Sequence, residues 1–314
     1  MGVLRGGWLV TSRATARRIA APLVRARPRL RDRRPAGRWG GMVARMALAV
    51  TMVIATLIFV YPFVWLVSAS LKDGSRVFDG ALIPDPLRLD NYGRLAELAP
   101  VASWAWNSLL VTTLAAITVT VSSAMVAWGF SYYRFPGRDL LFGMVLATLM
   151  LPGAVTLIPN YLIWDALGFD NTLVPLWAPN LFASAFYIFL LRQFFRSLPR
   201  EPFEAAVVDG AGPIRLFRSV AVPLALPALV VVFVFELKAA WTDLMKPLVF
   251  LHDVGTFTLT LGLKALIDNP SVGGEKRYEL LAAGGVIVTV PLLIVFLLAQ
   301  RHFVEGIATT GNKG

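Results

Sequence analysis

Six stretches of this chain are so long and so apolar that a lipid bilayer is the natural solvent for them. The first is 43–67 (VARMALAVTMVIATLIFVYPFVWLV), with Arg45 at its edge. The others are 107–130, 140–164, 173–191, 219–237 and 280–299. A bilayer core about 30 Å thick takes roughly 20 consecutive apolar residues as helix. One such block could be a buried helix of a soluble protein, but six could not. Open sheet edges and irregular backbone do not face lipid, so the expected fold is an all-α integral membrane protein with six transmembrane helices. Composition agrees: 16% of the residues are charged, where a soluble domain carries about 25%.

The same chain lacks most of what a self-contained catalyst needs. It has no cysteine, which excludes disulfides and thiolate metal sites. Its only histidines are His252 and His302, too few for a His-based metal centre. There is no GxxxxGK[ST] loop to cradle a nucleotide phosphate and no GxSxG elbow. The expectation is a non-catalytic subunit with no cofactor or metal of its own.

A net charge of +11 raises the question of nucleic acid, and its distribution answers it. Twelve of the 30 Lys and Arg fall in residues 1–45. Residues 1–42 read as an Arg-rich, disordered cytoplasmic tail resting on anionic membrane lipid, with 43–314 as the transmembrane domain. A signal peptide fits poorly, because its apolar region would be about 7–15 residues long. A transit peptide over 1–40 is a second reading of the acid-poor tail.

Charge also orients the spans. With both termini cytoplasmic, the inside segments 1–45, 131–139, 192–219 and 300–314 hold 21 Lys and Arg, and the outside segments hold 8. That is the positive-inside bias. Without the tail the counts are 9 and 8, so the tail does most of the orienting. The loop 160–172 carries Asp165 and Asp170 and no base, as an outer loop should.

Two features inside the spans point to a pathway. The third contains Leu151-Pro152-Gly153 and then Ile158-Pro159, which should kink or break its helix. Broken helices at membrane depth are tolerated where they line a cavity or lie within protein. The fifth ends in Glu236, Lys238 and Trp241-Thr242-Asp243. Counted from residue 219, Glu236 and Lys238 fall near the outer interface, where they need no buried partner. On this reading no acid lies centrally in a span.

The stretch SLPREPFEAAVVDGAGPIRLFRSVAVPLALP, 197–227, is too polar to span and too patterned for a plain loop. Pro202 suits a first helical turn, and Phe203, Ala206 and Val207 recur at helical spacing. Gly210 can end that helix with φ > 0. Gly212-Pro213 starts a second short helix with Ile214, Phe217 and Val220 on one face. Pro223 then opens the next span. Lipid could hold such a pair, but Glu201, Glu204 and Asp209 disfavour an anionic leaflet. The small residues Ala205 and Ala206 suit docking into a protein groove instead.

With EAAVVDG (204–210) followed by VAVP (220–223), the loop resembles the EAA loop of binding-protein-dependent ABC importer permeases. In that family the pattern is EAA, three residues, G, nine residues, then I-x-L-P. Glu204, Ala205, Ala206 and Gly210 match it, and Val220 and Val222 replace Ile and Leu conservatively. The blocks NSLLVT (107–112), YYRFPGRDLLF (132–142), LPGAVTLIPNYL (151–162), WTDLMKPLVFL (241–251) and QRHFVEGIATTGNKG (300–314) are similar to the sugar permeases of the maltose type, in particular their shorter, inner-type subunit.

The resemblance implies a bacterial inner-membrane permease subunit that forms half of a sugar pathway. Its partners would be a second homologous permease, two ATPase subunits that use ATP and Mg, and an extracellular solute-binding protein. The coupling loop would be 197–222, docking an ATPase through residues 200–220, with Glu204, Ala205, Ala206, Asp209 and Gly210 carrying the contact. Asn160, Tyr161, Trp241 and Asp243 match family blocks near the outer half of the spans and are the candidates for lining the route. An ion-coupled secondary transporter for a small polar solute is the alternative. It would want midplane carboxylates and a repeat between halves. A scaffold without a pathway would not explain the EAA spacing.

Overall fold

The computed structural model describes residues 38–268 and 277–308, with side chains for 42–268 and 277–300. The tail 1–42 lies outside these residues up to position 37, as do the last residues of the block 300–314 beyond 308. No strand occurs among the described residues.

In chain order the helices are α1 (Arg38–Ser70), α2 (Asp90–Leu98), α3 (Val101–Tyr132), α4 (Arg138–Thr148), α5 (Gly153–Ala166), α6 (Val174–Trp177) and α7 (Ala185–Ser197). They continue with α8 (Glu201–Val208), α9 (Pro213–Leu216), α10 (Val222–Leu224), α11 (Leu226–Trp241), α12 (Met245–Phe250), α13 (Leu259–Asp268) and α14 (Tyr278–Ala308). The chain divides into two compact units, Met1–Phe59 and Val60–Gly314. In the first, the described part of α1 exposes its apolar side chains, Met46, Ile54 and Phe59 among them. The packing and the site described below belong to the second.

Four helical segments are long and apolar enough to cross a membrane: Met42–Ser70, Val101–Tyr132, Val174–Ser197 and Tyr278–Gln300. Two bent pairs, α4 with α5 and Pro213–Leu224 with α11, bring the described total to six where each pair counts as one span. These correspond to the six apolar blocks, and the third and fifth are sharply bent. The third breaks by 97° between Thr148 and Gly153. Pro152 is extended there, with φ −62° and ψ 136°. Its ring holds Leu151 away from helical geometry. Pro159, in contrast, sits inside α5 without ending it.

The fifth block differs more from expectation. Its helix does not run from 219 or open at Pro223. The Pro213–Leu224 arm, with a π-helical turn over Phe217–Ala221, ends in a 79° bend at Ala225. The membrane-length segment then begins at Leu226, with Pro227 in its first turn. A proline there needs no intrahelical N–H.

Long α3 is the packing axis, in contact with both α7 and α11. Its buried face alternates small residues with a few larger ones: Ala115, Ala116, Val119, Ser123, Ala124 and Ala127. Small side chains allow close backbone approach, and that closeness is what holds helices together where lipid supplies no hydrophobic drive. The α13–α14 region uses the same device. A Cβ on Gly262 would lie 2.2 Å from the Trp104 ring, and one on Gly284 would lie 2.4 Å from Leu263.

The segment between α1 and α3 is tied down by polar contacts. Fully buried Asn91 donates Nδ2 to the carbonyls of Ser70 at 3.0 Å and Lys72 at 2.8 Å. Buried Lys72 reaches Asp79 at 2.6 Å. That hydrogen bond, with one from the Ala81 N–H, holds the Asp79 carboxyl below the usual carboxylate range.

Candidate functional site

The helix, turn and helix expected over 197–222 is present, and its residues divide sharply between inside and outside. In α8, Phe203 is buried in the α3–α7–α11 core and Ala206 packs against that core. Glu204, Ala205, Val207 and Asp209 face outward, and Val208 is 86% exposed. The helix therefore hangs from one aromatic anchor and offers an acidic, apolar ridge on its free side.

Gly210 makes the turn. Its φ is +79°. Its N–H donates to the Val207 carbonyl at 3.0 Å, and that of Ala211 to the Ala206 carbonyl at 2.9 Å. This pair of bonds is the Schellman arrangement, which satisfies the last carbonyls of a helix through a left-handed residue. The following short helix, α9, does not present Ile214 together with Phe217 and Val220. Leu216 is the buried residue, Phe217 and Val220 pack partly against the core, and Ile214 is 74% exposed. The spacing holds across the π-helical turn, where Phe217 and Val220 share the core side, and fails before it, where Leu216 takes the buried place in α9.

The four candidates for a route fall in two places. On α5, Asn160 is exposed, while Tyr161 is half-buried with its ring 5.5 Å from that of Phe250 on α12. Trp241, at the end of α11, is buried, and its indole N–H donates to the Val288 carbonyl of α14 at 3.0 Å. Asp243 is half-buried and accepts the N–H groups of Met245 at 3.0 Å and Lys246 at 3.3 Å, capping the start of α12. Tyr161 and Trp241 belong to separate apolar clusters.

Glu236 has a partner that the sequence did not show. It was expected near the outer interface, without a buried partner. It sits within α11, more than a turn before Trp241, and accepts a hydrogen bond from Asn180 Nδ2 at 2.6 Å. Asn180 also donates to the Ala115 carbonyl at 3.2 Å, and Ser122 Oγ donates to the Asn180 carbonyl at 2.8 Å. Asn180 lies on a 3-10 turn, Ala178–Phe182, that interrupts the fourth span before α7. Ala183, next in line, has φ +66°, and the Ser184 N–H is met by Ser123 Oγ at 3.1 Å. Backbone groups freed at the break, the Asn180 carbonyl and the Ser184 N–H, are thus met by serines of α3, while α11 holds the Asn180 side chain. Pro179 was a hint of the break, but the partnership with Glu236 spans 56 residues and has no local signature. Among the described residues no group of His, Asp and Glu could hold a metal ion.

Broken helices around a small-residue axis, with a surface helix pair hung from one end, define a multi-span transport subunit. More particularly, the chain belongs to the family described as binding-protein-dependent transport system inner membrane component, whose model matches residues 116–309. It is 31% identical over 268 residues to the sn-glycerol-3-phosphate transport system permease protein UgpE of Brucella abortus, covering 82% of this chain and 94% of the relative. The trehalose transport system permease protein SugB of Mycobacterium tuberculosis is 32% identical over 266 residues, 83% of this chain and 96% of that protein. The maltose/maltodextrin transport system permease protein MalG of Escherichia coli is 32% identical over 289 residues, 85% and 94% respectively. The fold is similar to that of a chain from a bacterial ABC transporter that imports alginate. That match has TM-score 0.73 and 23% identity and covers 83% of this chain and 97% of the other. The chain is accordingly a membrane permease component and not a catalyst.

Proposed function

We propose that this chain is one of two membrane subunits of an ATP-driven importer for a sugar or a sugar-like polyhydroxylated solute. The observation that carries the reading is the combination of family membership with an anchored EAA helix. Phe203 is buried, Gly210 turns the chain with φ +79°, and Glu204, Ala205 and Asp209 face outward. The named relatives handle a glycerol phosphate, trehalose and maltodextrin. These solutes share hydroxyl-rich surfaces, and that is the substrate class assigned. Family membership favours this reading over the ion-coupled alternative.

In the proposed assembly both termini are cytoplasmic, and residues 200–220 dock into a groove of one of two ATPase subunits, which bind the ATP and Mg. A second, homologous permease completes the pathway, and a solute-binding protein delivers the sugar from outside. Closure of the ATPases would push on α8. Through Phe203 the push reaches the core shared by α3, α7 and α11, so one ligand biases a two-state element at a distance. Asn160, Tyr161 and Asp243 are proposed to line the route, with Trp241 behind them.

The test is uptake into vesicles holding the chain with its sister permease, with and without the ATPase and ATP. Uptake should require both. Uptake driven by an ion gradient alone would refute the proposal, as would reporter tags showing 200–215 on the outer face.

A further inference from the structure

Beside α8, where α3 ends and α7 runs out, lies a cavity of about 580 Å³ whose wall holds Arg134, Arg138, Arg192, Arg196 and Arg200. Glu204 is the one carboxylate among the lining residues. Arg138 is paired with Asp139 at 3.0 Å, and among the described residues no carboxylate pairs with the other four arginines. Even with Glu204 and Asp139 set against the five guanidinium groups, three positive charges stay uncompensated.

Arg192 is the decisive member. It is only 8% exposed. Its Nε donates to the Phe130 carbonyl at 3.4 Å, and its guanidinium carbon stands 3.8 Å from the centre of the Phe142 ring. One long hydrogen bond and a ring face return far less than the burial of an unpaired cation costs. A buried charge without an acid calls for an anion from elsewhere. Beside Ser131 and Leu198 the rest of the wall is aromatic: Trp128 stacks on Tyr132 at 4.5 Å and meets Phe203 at 5.2 Å. The buried indole N–H of Trp128 also has no hydrogen-bond partner among the described residues.

We propose that this cavity is a binding site for a phosphate group, the chemistry shared by an anionic phospholipid headgroup and a free phosphate ion. Guanidinium forks match phosphate oxygens in pairs, and the aromatic wall would receive the glycerol and first methylenes of a lipid. Phe203 and Glu204 belong both to this wall and to α8, so an occupant would fix the seat of the docking helix. The site's position at the cytoplasmic leaflet rests on the topology proposed above; the site itself does not.

The experiment is thermal unfolding of the full chain in nanodiscs, which needs no transport partner. One arm compares phosphatidylcholine discs with and without phosphatidylglycerol. The other titrates inorganic phosphate into discs of phosphatidylcholine alone. Wild type should be stabilised in at least one arm, and the arm that responds identifies the source. Arg196 and Arg200 are exposed, so Arg196→Gln/Arg200→Gln should fold and bind the responding probe at least roughly tenfold more weakly, given two lost charge-assisted contacts. Arg192→Gln should do the same if it folds. Arg215→Gln, exposed and outside the cavity, should respond as wild type does. No shift in either arm would overturn the proposal, and so would equal shifts in wild type and the double variant. Arginine-dependent capture of an ATPase with no response to either probe would make the cavity a protein socket and overturn it too.

Discussion

Replacing Gly210 with valine isolates the coupling turn from everything else in the molecule. At this position φ is +79°, and an added Cβ would meet no atom within 4 Å. The cost is therefore backbone strain alone, with no clash added. Holding an L-residue left-handed costs roughly 1–2 kcal/mol, and more for a β-branched side chain. The Schellman bonds from Gly210 to Val207 and from Ala211 to Ala206 are the structure under strain. At 1.4 kcal/mol per factor of ten, the population of correctly turned loops falls by up to about 5–30-fold. Phe203 stays anchored in the core, so the bundle itself should unfold at nearly its original temperature. The assay pairs thermal unfolding in detergent with titration of the ATPase onto the purified permease pair. ATPase affinity should drop by that factor while the unfolding midpoint holds, and Gly210→Asn, which tolerates positive φ, should lose less. Wild-type ATPase affinity in Gly210→Val would refute the assignment of this turn to coupling.

Three further outcomes are expected. Glu204→Lys should insert and pair with the sister permease but fail to retain the ATPase on co-purification, because a misplaced charge at an interface costs several kcal/mol. Normal uptake in cells would count against the docking role. Glu236→Ala should leave one Asn180 amide N–H without its acceptor, the bond to Ala115 remaining, and lower stability by about 1–3 kcal/mol, with Glu236→Gln milder; equal midpoints for all three proteins would show that the 2.6 Å contact carries no weight. Gly262→Ala should destabilise by about 1–3 kcal/mol through overpacking, since its Cβ would lie 2.2 Å from buried Trp104, and unchanged thermal unfolding would refute the close packing of α13 on α3.

What the sequence alone determined about this protein is what depends on local chemistry. Twenty apolar residues in a row choose a bilayer whatever their neighbours are, so all six blocks were legible. Gly210 announced its left-handed turn, because the αL region is open to glycine and costly for nearly everything else. The spacing of Glu204, Ala205, Ala206 and Gly210 pointed to the family in which the chain was then found. Pro152 broke the third span as its chemistry required.

The tertiary structure alone decided what depends on distant partners. Pro159 was tolerated inside α5, whereas the fifth span turned at Ala225, two residues before a proline and past the one expected to open it. A proline only weakens a helix, and neighbouring packing decides whether the helix bends there. Nothing around Glu236 in the sequence pointed to Asn180, against which α11 carries it. The five arginines of the α8 cavity are spread from 134 to 200. Along the chain they were only positive-inside charge, and their convergence on one unneutralised pocket appears only when α3 and α7 end side by side. Periodicity and composition report the solvent each segment prefers, whereas which charges meet is set by contacts between segments far apart in the chain.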